Sequence, residues 1–144
     1  MASDEGVELS GGCHCGALAV TLRLSKPAAQ TQVRACQCTF CRTHGALSAT
    51  DPRGLFLVRE VQPGALVRYQ FGLKLADFLI CGRCGTYVGA SMTEPGGALG
   101  VTNINVLKQR DQFPPPGPIV YESETAEQRL ARRRERWTPF RMES

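Results

Sequence analysis

No apolar run in this chain is longer than a few residues. A helix crossing a bilayer needs about 20 in a row, so a membrane span is excluded. The start, Met1-Ala2-Ser3-Asp4-Glu5-Gly6, lacks the basic and apolar regions of a secretory signal, and the chain is therefore expected in the cytoplasm. No internal repeat and no low-complexity segment interrupts the sequence, and 144 residues suit a single domain. Gross disorder is excluded by an ordinary composition, 42% hydrophobic and 21% charged. An even number of cysteines is also lacking: there are seven, so they cannot all pair as disulfides within one chain. In a reducing cytoplasm, cysteines at short spacing favour metal or catalytic roles.

The seven cysteines fall in three groups: Cys13-His14-Cys15, Cys36-Gln37-Cys38-Thr39-Phe40-Cys41 and Cys81-Gly82-Arg83-Cys84. At these spacings neighbouring thiolates turn easily toward a common ion. Cys36, Cys38 and Cys41 are local enough to share one ion. That leaves Cys13, Cys15, Cys81 and Cys84, two knuckles that can close a tetrahedral four-sulfur zinc site, structural in character. The trio is one ligand short, and an open position is the mark of a catalytic zinc. The alternative is a second structural site completed by His14 or His44. Three thiolates make zinc electron-rich, a weaker Lewis acid better matched to a substrate thiolate than to making hydroxide. The formal charge of +4 falls to about +1 once seven thiolates and two Zn²⁺ ions are counted, so no nucleic-acid partner is expected.

The rest of the chain reads as mainly β. Leu18, Val20, Leu22 and Leu24 alternate with Ala19, Thr21 and Arg23, the period of a half-buried strand. Further strands are expected over 32–35, 54–58, 66–71, 76–80, 86–91, 98–106 and 119–121, separated by Pro and Gly signals such as Pro63-Gly64 and Pro95-Gly96-Gly97. Residues up to Ser10 read as a loose lead-in, Gly11-Gly12 as a tight turn and Arg42–Gly45 as another turn. One helix is expected near the end, where Thr125-Ala126-Glu127-Gln128 has capping-box spacing.

Together the three motifs, Gly11-Gly12-Cys13-His14-Cys15-Gly16, Cys36–Arg42 and Cys81-Gly82-Arg83-Cys84-Gly85-Thr86, resemble the signature of the glutathione-dependent formaldehyde-activating enzyme family, which includes centromere protein V. The resemblance implies a β-tent fold, small antiparallel sheets packed at an angle around a four-cysteine zinc site. It implies a zinc-dependent carbon–sulfur lyase acting on adducts of an aldehyde with a small thiol such as glutathione. It also implies structural zinc at Cys13, Cys15, Cys81 and Cys84 and catalytic zinc at Cys36, Cys38 and Cys41, the partition already reached from spacing. On this reading residues 1–8 are a lead-in, 9–122 the zinc-binding domain and 123–144 a helical tail. The family often has a histidine where Gln37 stands.

Smaller candidates flank the trio. His44 is a candidate to move a proton between bound thiol and aldehyde oxygen, against the plainer reading as an exposed turn histidine. Arg34 and Arg42 are candidates for a substrate carboxylate, against the plainer reading as surface charges. Phe40, Tyr69 and Phe71 read as packing. Arg129, Arg132, Arg133, Arg134 and Arg136 read as a solvated helix face. They also motivate a rival function, a non-catalytic zinc-stabilised module whose basic tail contacts an acidic partner.

Overall fold

Alternating side chains build the central strands of the protein. In the computed structural model, which describes residues 6–143, eleven strands and two α-helices follow one another. They are β1 Val7–Gly12, β2 Leu18–Leu24, β3 Arg34–Cys36, α1 Thr39–His44, β4 Ser48–Ala49, β5 Leu55–Glu60 and β6 Leu66–Tyr69. After these come β7 Asp77–Cys81, β8 Tyr87–Glu94, β9 Gly97–Asn103, β10 Gly117–Ile119, α2 Ala126–Arg136 and β11 Thr138–Glu143. The fold is mainly β, as expected, with one sheet that branches and does not close. The main path runs β1-β2-β5-β11-β9-β4-β3-β10, and β8, β7 and β6 branch from β9. Thr102 of β9 is the junction, opposite Ala49 of β4 on one side and Gly89 of β8 on the other.

The pairing is antiparallel except between β3 and β10 and between β5 and β11, a departure from the all-antiparallel expectation. Both late strands return from long connections rather than hairpins, which is what a parallel neighbour requires.

In β2 the predicted face is the buried one: Leu18, Val20, Leu22 and Leu24 are all buried, while Arg23 is exposed. They pack with Leu9, Phe56, Val58, Leu79 and Val88 in the main core. Phe56 is fully buried because Gly89 offers it no side chain. A Cβ at Gly89 would lie 2.6 Å from the Phe56 ring, and its φ of 156° suits glycine.

Four local expectations need correction. The lead-in expectation extends over residues 1–5, which lie outside the described residues, but Val7–Ser10 belong to β1 and pair with β2. Gly11 is not in a turn. It is a strand residue whose added Cβ would fall 1.8 Å from the Val106 carbonyl oxygen, so a close backbone approach explains it. The turn expected at Arg42–Gly45 is the second half of α1, which is too short to show a helical period. Cys38 caps α1, its sulfur accepting from the Cys41 amide at 3.4 Å. Lastly, the tail expected to be helical over 123–144 ends in a strand, β11, which contains Pro139. That proline precedes the β5 ladder, which begins at Phe140 opposite Phe56, so its missing N–H breaks no bond there. At α2 the expected capping box is present, with Thr125 and Gln128 bonded reciprocally.

Candidate metal centres

Two knuckles from opposite parts of the sequence meet at the first centre. Cys13 and Cys15 follow β1, while Cys81 ends β7 and Cys84 follows it. The four sulfurs lie within 4.8 Å of one another, with Cys13 to Cys15 at 3.8 Å and Cys15 to Cys81 at 3.7 Å. A tetrahedron with metal–sulfur bonds of about 2.3 Å has edges of about 3.8 Å, so the spacing fits zinc. Amides already point at the sulfurs: Leu18 N–H donates to Cys13 at 3.2 Å and Arg83 N–H to Cys81 at 3.4 Å. The Thr86 hydroxyl lies 3.2 Å from the Cys84 sulfur. These contacts hold the knuckles in shape.

The second centre is built from consecutive chain. Cys36 ends β3, Cys38 caps α1 and Cys41 lies on its first turn. Their sulfurs also lie within 4.8 Å of one another. Among the described residues no histidine, aspartate or glutamate joins them, so neither His14 nor His44 completes this site. The two groups can each hold a metal ion, and their all-sulfur donor sets suit zinc.

Left without a cation, neighbouring thiols push one another's protonation apart. In the trio, hydrogen bonds from Cys36 and Cys41 hold Cys38 far below the usual thiol range. The Cys41 thiol is pushed up by its bonds to Cys36 and Cys38 and then by burial. Cys36 is raised, chiefly by Cys38. In the other group the Ala17 amide pulls Cys15 down, but burial and the sulfurs of Cys81, Cys84 and Cys13 outweigh it, raising it to about 11. Burial pushes Cys84 up, but hydrogen bonds led by that from the Thr86 hydroxyl bring it down to about 5. A dication removes this conflict, since every thiolate can then face positive charge.

The trio opens on a cavity of about 150 Å³. Phe71, Phe78, Tyr87, Val101 and Trp137 make its apolar walls, and Arg34, Arg129, Arg132 and Arg133 bring positive charge. Phe40 packs behind the trio, its ring 4.7 Å from Phe78, 5.3 Å from Phe71 and 4.9 Å edge-on from Tyr87. The Tyr87 hydroxyl is held well above its usual pKa, by burial first and then by the negative charge of Cys41, Cys38 and Cys36. Asn103, buried, braces this wall: its Nδ2 donates to the Tyr87 carbonyl at 2.9 Å and its Oδ1 accepts from Leu47 N–H.

The profile of the family described as glutathione-dependent formaldehyde-activating enzyme matches residues 8–123. The chain belongs to this family. A solved crystal structure of a Rhodobacter sphaeroides protein is similar at 29% identity, with a TM-score of 0.54, covering 74% of this chain and 97% of that one. No curated protein matches the sequence. Membership in the formaldehyde-activating family ties the chain to an enzyme-associated fold and to thiol and aldehyde chemistry.

For this family member the sequence-predicted residues divide clearly. All seven cysteines meet in the expected groups. His44 does not line the trio's cavity. On α1 its ring lies tilted against Phe40 at 4.3 Å, with Nδ1 2.9 Å from the Phe40 carbonyl, and it faces a separate shallow hollow with His14, Cys84 and Asn105. Spacing misleads here because a position three residues on need not share the sulfur's outlet. Gln37 turns back to donate to the Ala35 carbonyl at 2.7 Å. Arg34 lines the cavity and Arg42 does not.

The arginine tail also differs from its expected solvated face. Arg129 and Arg132 both pair with Glu124, and Arg134 pairs with Glu94. Arg133 is 8% exposed. Arg134 and Arg136 stay exposed as expected, but three of the five arginines are engaged in ion pairs, which weighs against the binding-module reading. The part α2 takes in the cavity was missed, although Arg129, Arg133 and Trp137 recur every four residues, the spacing of one helix face.

Proposed function

We propose that this protein is a zinc-dependent carbon–sulfur lyase that forms or cleaves adducts between a small thiol and an aldehyde. On this reading it carries two zinc ions, structural at Cys13, Cys15, Cys81 and Cys84 and catalytic at Cys36, Cys38 and Cys41. The observation that carries the proposal is the trio itself: three sulfurs gathered at a cavity, with no fourth protein ligand among the described residues. Zinc held by these three cysteines would supply a Lewis acid that favours the thiolate form of a substrate thiol near neutral pH.

The chain's own residues do the rest. In the forming direction the substrate sulfur attacks the aldehyde carbon, the carbon–sulfur bond forms, and the carbonyl π pair moves to oxygen. The proton lost by the thiol ends on that oxygen, giving a hemithioacetal, and cleavage reverses each change. Phe71, Phe78, Val101 and Trp137 give the chamber an apolar side that disfavours water beside the thiol. Tyr87 keeps its hydroxyl proton at neutral pH and is placed in that chamber as a neutral donor. Phe40 fixes the α1 turn and with it Cys38 and Cys41. His44 has no part in these steps.

The test is the zinc-loaded Cys38→Ser variant assayed on an S-hydroxymethyl thiol adduct accepted by the wild type. Activity should be lost while the thermal transition remains. Full activity in that variant would show the mechanism to be wrong.

A further inference from the structure

The family match ends at residue 123, yet α2, beyond it, closes one wall of the trio's cavity. Its inward face carries Arg129, Arg132, Arg133 and Trp137. Two of these arginines are already satisfied. Glu124 accepts from Arg132 at 2.7 and 2.9 Å and from Arg129 at 3.4 Å, and Arg132 also lies 3.6 Å over the Tyr121 ring.

Arg133 is different. It is more than nine-tenths buried, and among the described residues its Nε and Nη1 find no hydrogen-bond partner. Its one companion is the Trp137 ring, 4.5 Å from the guanidinium carbon. A ring face attracts a cation but leaves its N–H groups without acceptors. Burying a charge with unfilled donors is costly, so an unfilled guanidinium at a cavity wall points to a ligand anion.

Charge around the cavity agrees. Arg34 and Lys74 add to the α2 arginines on its lining, where the acidic residue is Glu122. Arg34 is partly engaged, donating to the Thr50 hydroxyl at 2.5 Å. Planar, forked donors match a carboxylate better than a single-point anion.

We propose that Arg133, on the helix beyond the family match, is a specificity-determining residue that binds a carboxylate of the thiol ligand in this cavity. The thiol half rests on the function proposed above; the carboxylate half rests on Arg133 alone. Alpha-helix α2 is then a substrate-reading element added to the zinc-binding sheet.

The test uses the zinc-loaded full-length protein and three probes measured by calorimetry: 3-mercaptopropionate, the uncharged 3-mercapto-1-propanol, and propionate. The wild type should bind 3-mercaptopropionate at least about tenfold more tightly than the alcohol. Arg133→Gln should remove that preference by weakening only the two carboxylates, leaving the alcohol unchanged. Arg133→Lys keeps the charge without the fork and should retain part of the preference. If the Gln variant loses its thermal transition, the Lys variant and the wild-type probe pair carry the test. Equal binding of the two thiols by the wild type overturns the inference, as does a preference that survives in Arg133→Gln. If neither thiol binds but propionate does and needs Arg133, the thiol function falls and the carboxylate site stands. If no probe binds, both fall.

Discussion

The two cysteine groups use one kind of ligand to opposite ends. Cys13, Cys15, Cys81 and Cys84 come from distant parts of the chain, and their four sulfurs lie within 4.8 Å of one another. Closing that tetrahedron ties the end of β1 to the end of β7 and leaves no position for anything else. Cys36, Cys38 and Cys41 come from six consecutive residues, so a metal there ties together almost nothing that the chain does not already hold. What they leave is a gap facing a cavity. The difference lies in ligand count and in sequence separation, and on the proposed function those two properties divide a staple from a reaction site.

The largest expected effect follows from the staple. Cys81→Ser removes one sulfur from a closed site whose zinc would supply about 10–16 kcal/mol, comparable to the whole stability of a domain. The cooperative thermal transition should disappear, and a variant that still melts cooperatively near the wild-type temperature would erase the distinction drawn between the sites.

Next comes the reaction site. Cys38→Ser should lower activity on a thiol–aldehyde adduct by at least about a hundredfold, with a thermal shift of only a few degrees. Equal damage to stability from Cys38→Ser and Cys81→Ser would mean that both metals are structural.

Acid should separate the sites more gradually. Without metal, Cys41 and Cys36 in the trio and Cys15 in the four-cysteine group are raised, so binding must expel their protons. Metal affinity therefore rises with pH and falls on acidification at both sites. Having one sulfur fewer, the trio should release its metal first as pH is lowered in the presence of a chelator. Metal released per chain, followed with a coloured indicator, reads the order, and loss of the first equivalent should abolish activity before it alters the fold.

The smallest effect is expected at His44. A general acid–base residue is worth about 10²–10⁴ in rate, whereas a histidine packed on Phe40 outside the cavity should change activity by no more than about threefold. A hundredfold loss in His44→Ala would place it back in the chemistry.

Much of this arrangement was legible in the sequence. The cysteine spacings alone separated four from three, because thiols two or three residues apart can reach one ion whatever the surrounding fold. The β2 alternation likewise gave its buried face, since a period of two is a property of the strand itself. What was not legible depended on three-dimensional company. His44 looked catalytic by distance along the chain, yet α1 turns it onto Phe40. The tail after α2 showed no strand signal of its own, and β11 is set by its long-range pairing with β5 and β9. Arg133 looked like one of several solvated arginines, and only the packing of α2 against the cavity sets it apart from Arg129 and Arg132.

The open fourth position at Cys36, Cys38 and Cys41 is the central claim. It is tested most directly by counting zinc per chain and then following release of that zinc to an indicator as a small thiol is added. Two zinc ions per chain are expected, one of them perturbed or displaced by thiol at concentrations that leave the fold and the other zinc untouched. Two zinc ions that both remain inert to thiol would contradict the claim.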